Sequence, residues 1–245
     1  MYLPLNGPAK PGDPTPIVGA EDRVKPFQKL AGPRYPRMAN YSFDYGDAHF
    51  LCLDSNVYID STNADLQKWI DSDLAATNAR WKFVAYHHPA FNVGTVHYRE
   101  QHMRMLSPLF EKHGVDVCLN GHEHVYQRCV PLRFQPGGTY NRSGDRRVPG
   151  TFTCDRKFDG KQNTRPEGVL YITTGAGGAG LYNPDFDNNP EKWLHPDDNN
   201  VDYVTRFISS THSFTVFDMT ADELIMTQIG EEGQTLDQIR LTKSA

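Results

Sequence analysis

Between Ala48 and Leu119 short apolar runs alternate with segments of helical period, and this alternation limits the possible folds more than any other feature. Ala48-His49-Phe50-Leu51-Cys52-Leu53, Trp81-Lys82-Phe83-Val84-Ala85-Tyr86 and Val115-Asp116-Val117-Cys118-Leu119 read as buried strands. In the first intervening stretch Leu66, Trp69, Ile70 and Leu74 share one helical face. In the second, from about Tyr98 to Lys112, Met103, Leu106, Leu109 and Phe110 do so. Thr62-Asn63-Ala64-Asp65 has the form of a capping box with Asp in place of Glu. Strand, helix, strand, helix, strand with short connections dictates right-handed crossovers and a largely parallel sheet, hence an α/β class. In such sheets function collects beyond the carboxyl ends of the strands.

Outside this stretch the chain reads as β or irregular. Tyr41 to Tyr45 alternates and turns at Gly46-Asp47 into the first apolar run, a hairpin. Residues 1 to about 40 are rich in Pro and Gly without period and predict an irregular lead-in, with the folded domain over 41–245. A polar loop is expected from Arg128 to about Glu167, and an irregular acidic excursion over 181–200. Gly168 to Thr174 reads as a strand. Ser213–Met219, Glu223–Ile229 and Thr235–Leu241 read as an antiparallel meander.

Composition narrows the function. A net charge of -5 and a pI near 6.0 give no basic bias, which argues against nucleic acid as a partner. No apolar run approaches the ~20 residues of a membrane span, and the first residues lack the basic and apolar regions of a signal peptide. Four scattered cysteines make neither a disulfide scaffold nor a zinc ribbon. Cys52 and Cys118 read as buried thiols, and a Cys129–Cys154 pairing stays open.

Asn120-Gly121-His122-Glu123-His124-Val125-Tyr126-Gln127-Arg128 follows the third apolar run. In an extended backbone the imidazoles of His122 and His124 leave on one face and Glu123 on the other. Such a pair binds metal through neutral nitrogens, or is simply two surface histidines near a turn. Gly175-Ala176-Gly177-Gly178-Ala179-Gly180 satisfies G-x-G-x-x-G after a strand, yet Leu181-Tyr182-Asn183-Pro184-Asp185 cannot open a helix to hold a pyrophosphate. A tight loop at a site edge is the reading we adopt.

Val84-x-x-His87 followed by Pro89, then Gly121-His122-x-His124 one βαβ unit later, resembles the last two motifs of calcineurin-like metallophosphoesterases. The wording from Gly121 to Arg128 is closest to the purple acid phosphatase branch. The resemblance continues through Tyr41 to Leu53, the loop from Phe91-Asn92 to His97, the strand at Tyr171 and the terminal strands. It implies a metallophosphoesterase-type α/β sandwich of two sheets flanked by helices. It further implies hydrolysis of phosphate monoesters at a dinuclear metal centre, iron with zinc, manganese or iron. In that scheme His87 and His122 hold the second metal and His124 the first. His97 contacts the phosphate and acts as general acid, with Asn92 of the same loop beside the substrate. A bare surface role for His97 is the alternative reading. His88 departs from the V-x-x-H register and reads as a neighbour, while Tyr126 and Arg128 read as structural support. Metal-bound hydroxide is a nucleophile near neutral pH, and a nearby imidazole serves the leaving oxygen.

The family's carboxylate-bearing motifs do not appear. Gly12-Asp13, Gly46-Asp47 and Gly144-Asp145 sit in loops or a hairpin turn, and no G-N-H occurs. The expectation is therefore the carboxyl-terminal part of such a catalytic domain, without its first βαβ units and holding at most one weakly bound ion. One edge of the parallel sheet would then be exposed and prone to self-association. An inactive fragment and a phosphodiesterase are the rival readings.

Overall fold

A computed structural model describes residues 29–30, 40–56, 59–138, 140 and 146–243. The lead-in expected over residues 1 to about 40 lies outside the described residues but for Lys29, Leu30 and Asn40. β1 (Tyr41–Tyr45) and β2 (Ala48–Cys52) pair as the expected hairpin, with Gly46 at φ 57°, the left-handed conformation a two-residue turn requires. Helix α1 (Ala64–Ala76) then leads to β3 (Trp81–Ala85), which runs parallel to β2. Leu66, Ile70 and Leu74 are buried and Trp69 packs at the margin. The cap lies one residue beyond the expected Thr62: the Asn63 side chain accepts from the Leu66 amide at 2.9 Å.

The second helix is shorter than its apolar pattern suggests. A 3-10 turn spans His102–Leu106, and only α2 (Ser107–Lys112) is α-helical. Pro108 explains the start, because a residue without an N–H is tolerated in the first turn and not deeper. Met103, Leu106 and Phe110 are buried, and Leu109 packs against them half-buried. β4 (Val117–Asn120) follows, parallel to β3.

Beyond β4 the sequence is harder to read. β5 (Tyr126–Cys129) takes up the second half of the histidine motif. The expected polar loop contains a hairpin of β6 (Leu132–Pro136) and β7 (Gly150–Cys154), in which Phe134 and Phe152 stand opposite each other. β8 (Leu170–Thr174) is parallel to β4, and β5 lies antiparallel between β8 and β9 (Val204–Ile208). The seven-stranded sheet thus has the order β1-β2-β3-β4-β8-β5-β9, a parallel centre with antiparallel strands at both ends. β1 flanks the parallel strand β2 on its outer side, so the sheet ends in β1 and β9. β10 (Ser213–Met219), β11 (Glu223–Gly230) and β12 (Thr235–Thr242) form the expected meander as a separate sheet.

Strand alternation divides the core in two. Leu51, Val84, Cys118 and Tyr171 belong to the cluster that includes the helices, whereas Ala48, Phe83, Val117, Leu170 and Ile172 pack with Leu224, Met226, Ile239 and Leu241 of the meander. This is the two-sheet α/β sandwich. Arg104, fully buried, forms a bidentate pair with Asp198 at 2.7 and 2.9 Å, and its guanidinium lies 5.0–5.5 Å from the rings of Phe91, Phe134 and Phe152. Cys129 and Cys154 are free thiols, so the pairing left open by the sequence is not made. Burial pushes the Cys129 thiol up to about 12.

Candidate metal centre

Three loops leave the carboxyl ends of β2, β3 and β4 side by side. Ser55 Oγ accepts from the amides of His87 and His88 at 3.0 and 2.9 Å and lies 2.9 Å from His88 Nδ1. The Gly121 amide donates to the His87 carbonyl at 3.0 Å, which ties the two histidine motifs together. His122 then adopts φ 61°, the left-handed region; among the described residues the other non-glycine cases are all Asn. That conformation costs ~1–2 kcal/mol for a residue with a Cβ. The backbone is therefore not extended as the sequence suggested, and His122 and His124 do not project as strand neighbours.

The left-handed turn brings His122 against residues far away in sequence. Its Nδ1 lies 2.9 Å from His87 Nε2, and its Nε2 lies 2.6 Å from Glu100 Oε2. The His97 ring is 3.8 Å from that of His122, with Nδ1 3.4 Å from Glu100 Oε2. His88 Nε2 stands 3.8 Å from the same carboxylate, whose other oxygen meets Arg146 at 2.6 Å. His124 is held to one side: its Nδ1 donates to the Gly180 carbonyl at 2.8 Å and its ring stacks on Tyr182 at 4.2 Å. His88, His97 and His122 thus face one carboxylate, and His87 meets His122 at its other nitrogen. Sequence reasoning gave that carboxylate no role.

Glu100 was hidden because Arg99-Glu100 resembles the solvated start of a helix; its place three residues beyond His97 was the only clue. His88, read as a mere neighbour, also belongs here. Ligand atoms of His88, Glu100 and His122 all lie within 4.8 Å of one another, close enough to share one cation. Asn92 was expected beside a substrate. It is 3% exposed, its Nδ2 donates to Glu123 at 3.1 Å and its Oδ1 accepts from the Gly94 amide at 2.8 Å, so its amide is engaged within the loop. Tyr126 and Arg128 both donate to Asp237 of the meander, at 2.7 and 2.6 Å.

The electrostatics suit a cation. Burial lowers the pKa of His87, and the neighbouring His97 and His124 add to the effect. Burial and His97 lower that of His122 against the opposing pull of Glu100. His88 is pushed down to about 3 by burial, then by His102 and His122. For Glu100 burial acts upward, but Arg146 and His122 outweigh it and hold the carboxyl below its usual range. At neutral pH these three imidazoles are neutral and the carboxylate is ionised, the protonation state a metal requires. His87 faces Nδ1 of His122 and Glu100 faces Nε2, so the two stand on opposite sides of the ring. One carboxylate with neutral imidazoles fits one divalent ion and leaves a second without charge compensation.

The glycine loop after β8 closes the site edge. The Tyr182 amide donates to the His124 carbonyl at 3.1 Å, and the next helical turn is a three-residue 3-10 turn, Pro184–Phe186. A Cβ at Gly175 would collide with the Glu123 carbonyl oxygen. Gly175→Ala is accordingly expected to destabilise the fold by ~1–3 kcal/mol through overpacking. Thermal or urea unfolding checks this; an unchanged midpoint would show that the loop has room to shift.

Comparison with known proteins agrees with this geometry. The family model described as calcineurin-like phosphoesterase matches residues 13–126. Purple acid phosphatase 13 of Arabidopsis thaliana is 30% identical over 164 residues, 65% of this chain and 25% of that protein. Human acid phosphatase type 7 is 27% identical over 178 residues, 62% of this chain and 36% of that protein. Among solved structures, purple acid phosphatase PPD1 from yellow lupin seeds superposes with a TM-score of 0.59 at 16% identity, over 83% of this chain and 32% of that one, a likeness of fold. The chain spans about a quarter to a third of the length of these relatives.

Proposed function

From the match of residues 13–126 to the calcineurin-like phosphoesterase model and the purple acid phosphatases among its relatives, we propose that this chain hydrolyses phosphate monoesters at a metal held by the histidine cluster. The observation that carries the reading is His122, whose two ring nitrogens face His87 Nε2 at 2.9 Å and Glu100 Oε2 at 2.6 Å. His87, His122 and His124 are the ligands the family motifs assign, and His88 and Glu100 extend the set. A divalent ion held by these residues would supply Lewis-acid polarisation of a phosphoryl oxygen and activation of water near neutral pH. His97 then protonates the leaving oxygen. Glu100 lies beside its Nδ1 at 3.4 Å, which leaves Nε2 for that task.

The dinuclear centre of iron with zinc, manganese or iron implied by the motifs needs carboxylates beyond Glu100. The described residues offer one carboxylate at the cluster, so for them we propose a single ion. The same observation favours a second reading, a metal-binding chain without hydrolytic turnover. An assay with p-nitrophenyl phosphate and bis-p-nitrophenyl phosphate, with iron, zinc or manganese supplied, separates the readings. The expected result is monoester turnover that a chelator removes and metal restores. Metal uptake without turnover would select the second reading, and a preference for the diester would make the chain a phosphodiesterase.

A further inference from the structure

Glu123 lies between two histidines of the metal motif, yet its side chain points into the protein and is fully buried. Oε2 accepts from Asn92 Nδ2 at 3.1 Å and from the backbone amide of His97 at 3.0 Å, while Oε1 has no partner. A carboxyl group placed there carries a desolvation penalty that an apolar residue of similar size would avoid. The chain also keeps space for it: a Cβ at Gly94 would collide with Glu123 Oε1. Four residues on, the buried Gln127 accepts from the Val93 amide at 3.0 Å and donates to the Phe91 carbonyl at 2.9 Å. Two polar side chains of the histidine motif thus grip three backbone groups of one loop, and that loop carries His97 to 3.8 Å from His122.

We propose that Glu123 is a positioning residue: by holding the His97 amide it fixes the His97 imidazole over His122. Glu100 orients the ring and Glu123 holds its backbone, so the two carboxylates act on His97 from opposite ends. The proposal rests on the reading of His97 as the group that serves the leaving oxygen. Partners of this kind, behind a reacting or ligating imidazole, contribute on the order of 10–100-fold, because a small misplacement of a general acid removes much of its effect.

A double-mutant cycle tests it. With p-nitrophenyl phosphate and saturating metal, Glu123→Ala is expected to lower kcat about 10–100-fold and to leave KM within about 3-fold. In a His97→Ala background the same change should alter kcat by less than about 2-fold, since the group it positions is gone. Glu123→Gln should restore kcat to within about 3-fold of the parent, because its amide oxygen can accept from both donors. An equal loss in both backgrounds, or no loss in either, overturns the proposal. Should the alanine variant not fold, Glu123→Asp, whose oxygens fall short of the His97 amide, takes its place. Hydrogen exchange at the His97 amide is the readout independent of turnover: protected in the parent and faster in Glu123→Ala. An unprotected parent amide sinks the clamp, whereas a protected amide in a chain that does not hydrolyse the ester sinks the hydrolytic reading instead.

Discussion

Replacing His122 by Asn is expected to lower metal-supported hydrolysis of p-nitrophenyl phosphate by at least about 100-fold, at the upper end of what loss of a ligand or its supporting partner produces. Asn is the informative substitution. It tolerates the left-handed backbone that His122 adopts at φ 61°, so the turn survives and only the imidazole is lost. That imidazole is engaged at both nitrogens, with His87 at Nδ1 and Glu100 at Nε2. Without it His87 and Glu100 have no common centre. His122→Ala loses the same ring and adds backbone strain, so its unfolding midpoint should fall below that of His122→Asn. Activity retained within about 10-fold in the Asn variant would move the chemistry away from this residue.

The largest expected effect on stability comes from the pair beneath the His97 loop. Asp198→Ala leaves the Arg104 guanidinium buried without its counter-charge, and removing one member of a buried pair costs about 3–5 kcal/mol. Arg104 is also hydrogen-bonded to the carbonyls of Ala90 and Val148, and the Tyr203 hydroxyl stands 3.1 Å from the Asn92 carbonyl and 3.2 Å from Asp198. Loss of the pair therefore loosens the start of the loop that carries His97, at Ala90 and Asn92. The Arg156–Asp202 pair, with both side chains more than half exposed, should contribute ~0–1 kcal/mol by comparison. Urea unfolding of the two Asp→Ala variants measures the contrast. The same carboxylate gives a pH dependence. Burial acts to raise its pKa, the Arg104 hydrogen bonds outweigh burial, and the folded value lies below the unfolded one of ~3.9. Its stabilisation is thus complete above about pH 4 and is lost as pH falls through the depressed folded value. Acid unfolding should begin at higher pH in Asp198→Asn than in the parent.

Much of the fold was legible because the decisive signals were local. The strands around Phe83 and Val117 are mostly apolar runs, and the meander alternates with period two over three strands. Where the reading missed, nonlocal packing had decided the outcome. β6 and β7 are short, and the pairing of Phe134 with Phe152 joins residues separated by a polar, Pro- and Gly-rich stretch. The candidate site divides the same way. His87, His97, His122 and His124 stand in recognisable motifs, and the structure sets His97 and His122 against Glu100, His87 against His122, and His124 against Tyr182. Glu100 could not be read, because a carboxylate beside an arginine in a polar turn looks like any solvated pair until the His122 turn places a ring nitrogen on it. The Asn92 contact was hidden for the converse reason: nothing local shows that Glu123 turns inward and takes its amide.

The most direct test is a calorimetric titration of zinc into this chain beside its His122→Asn variant. The cluster of His88, Glu100 and His122 predicts one ion bound per chain in the parent and none in the variant. No binding in the parent, or identical binding in both chains, would contradict a metal centre at this place.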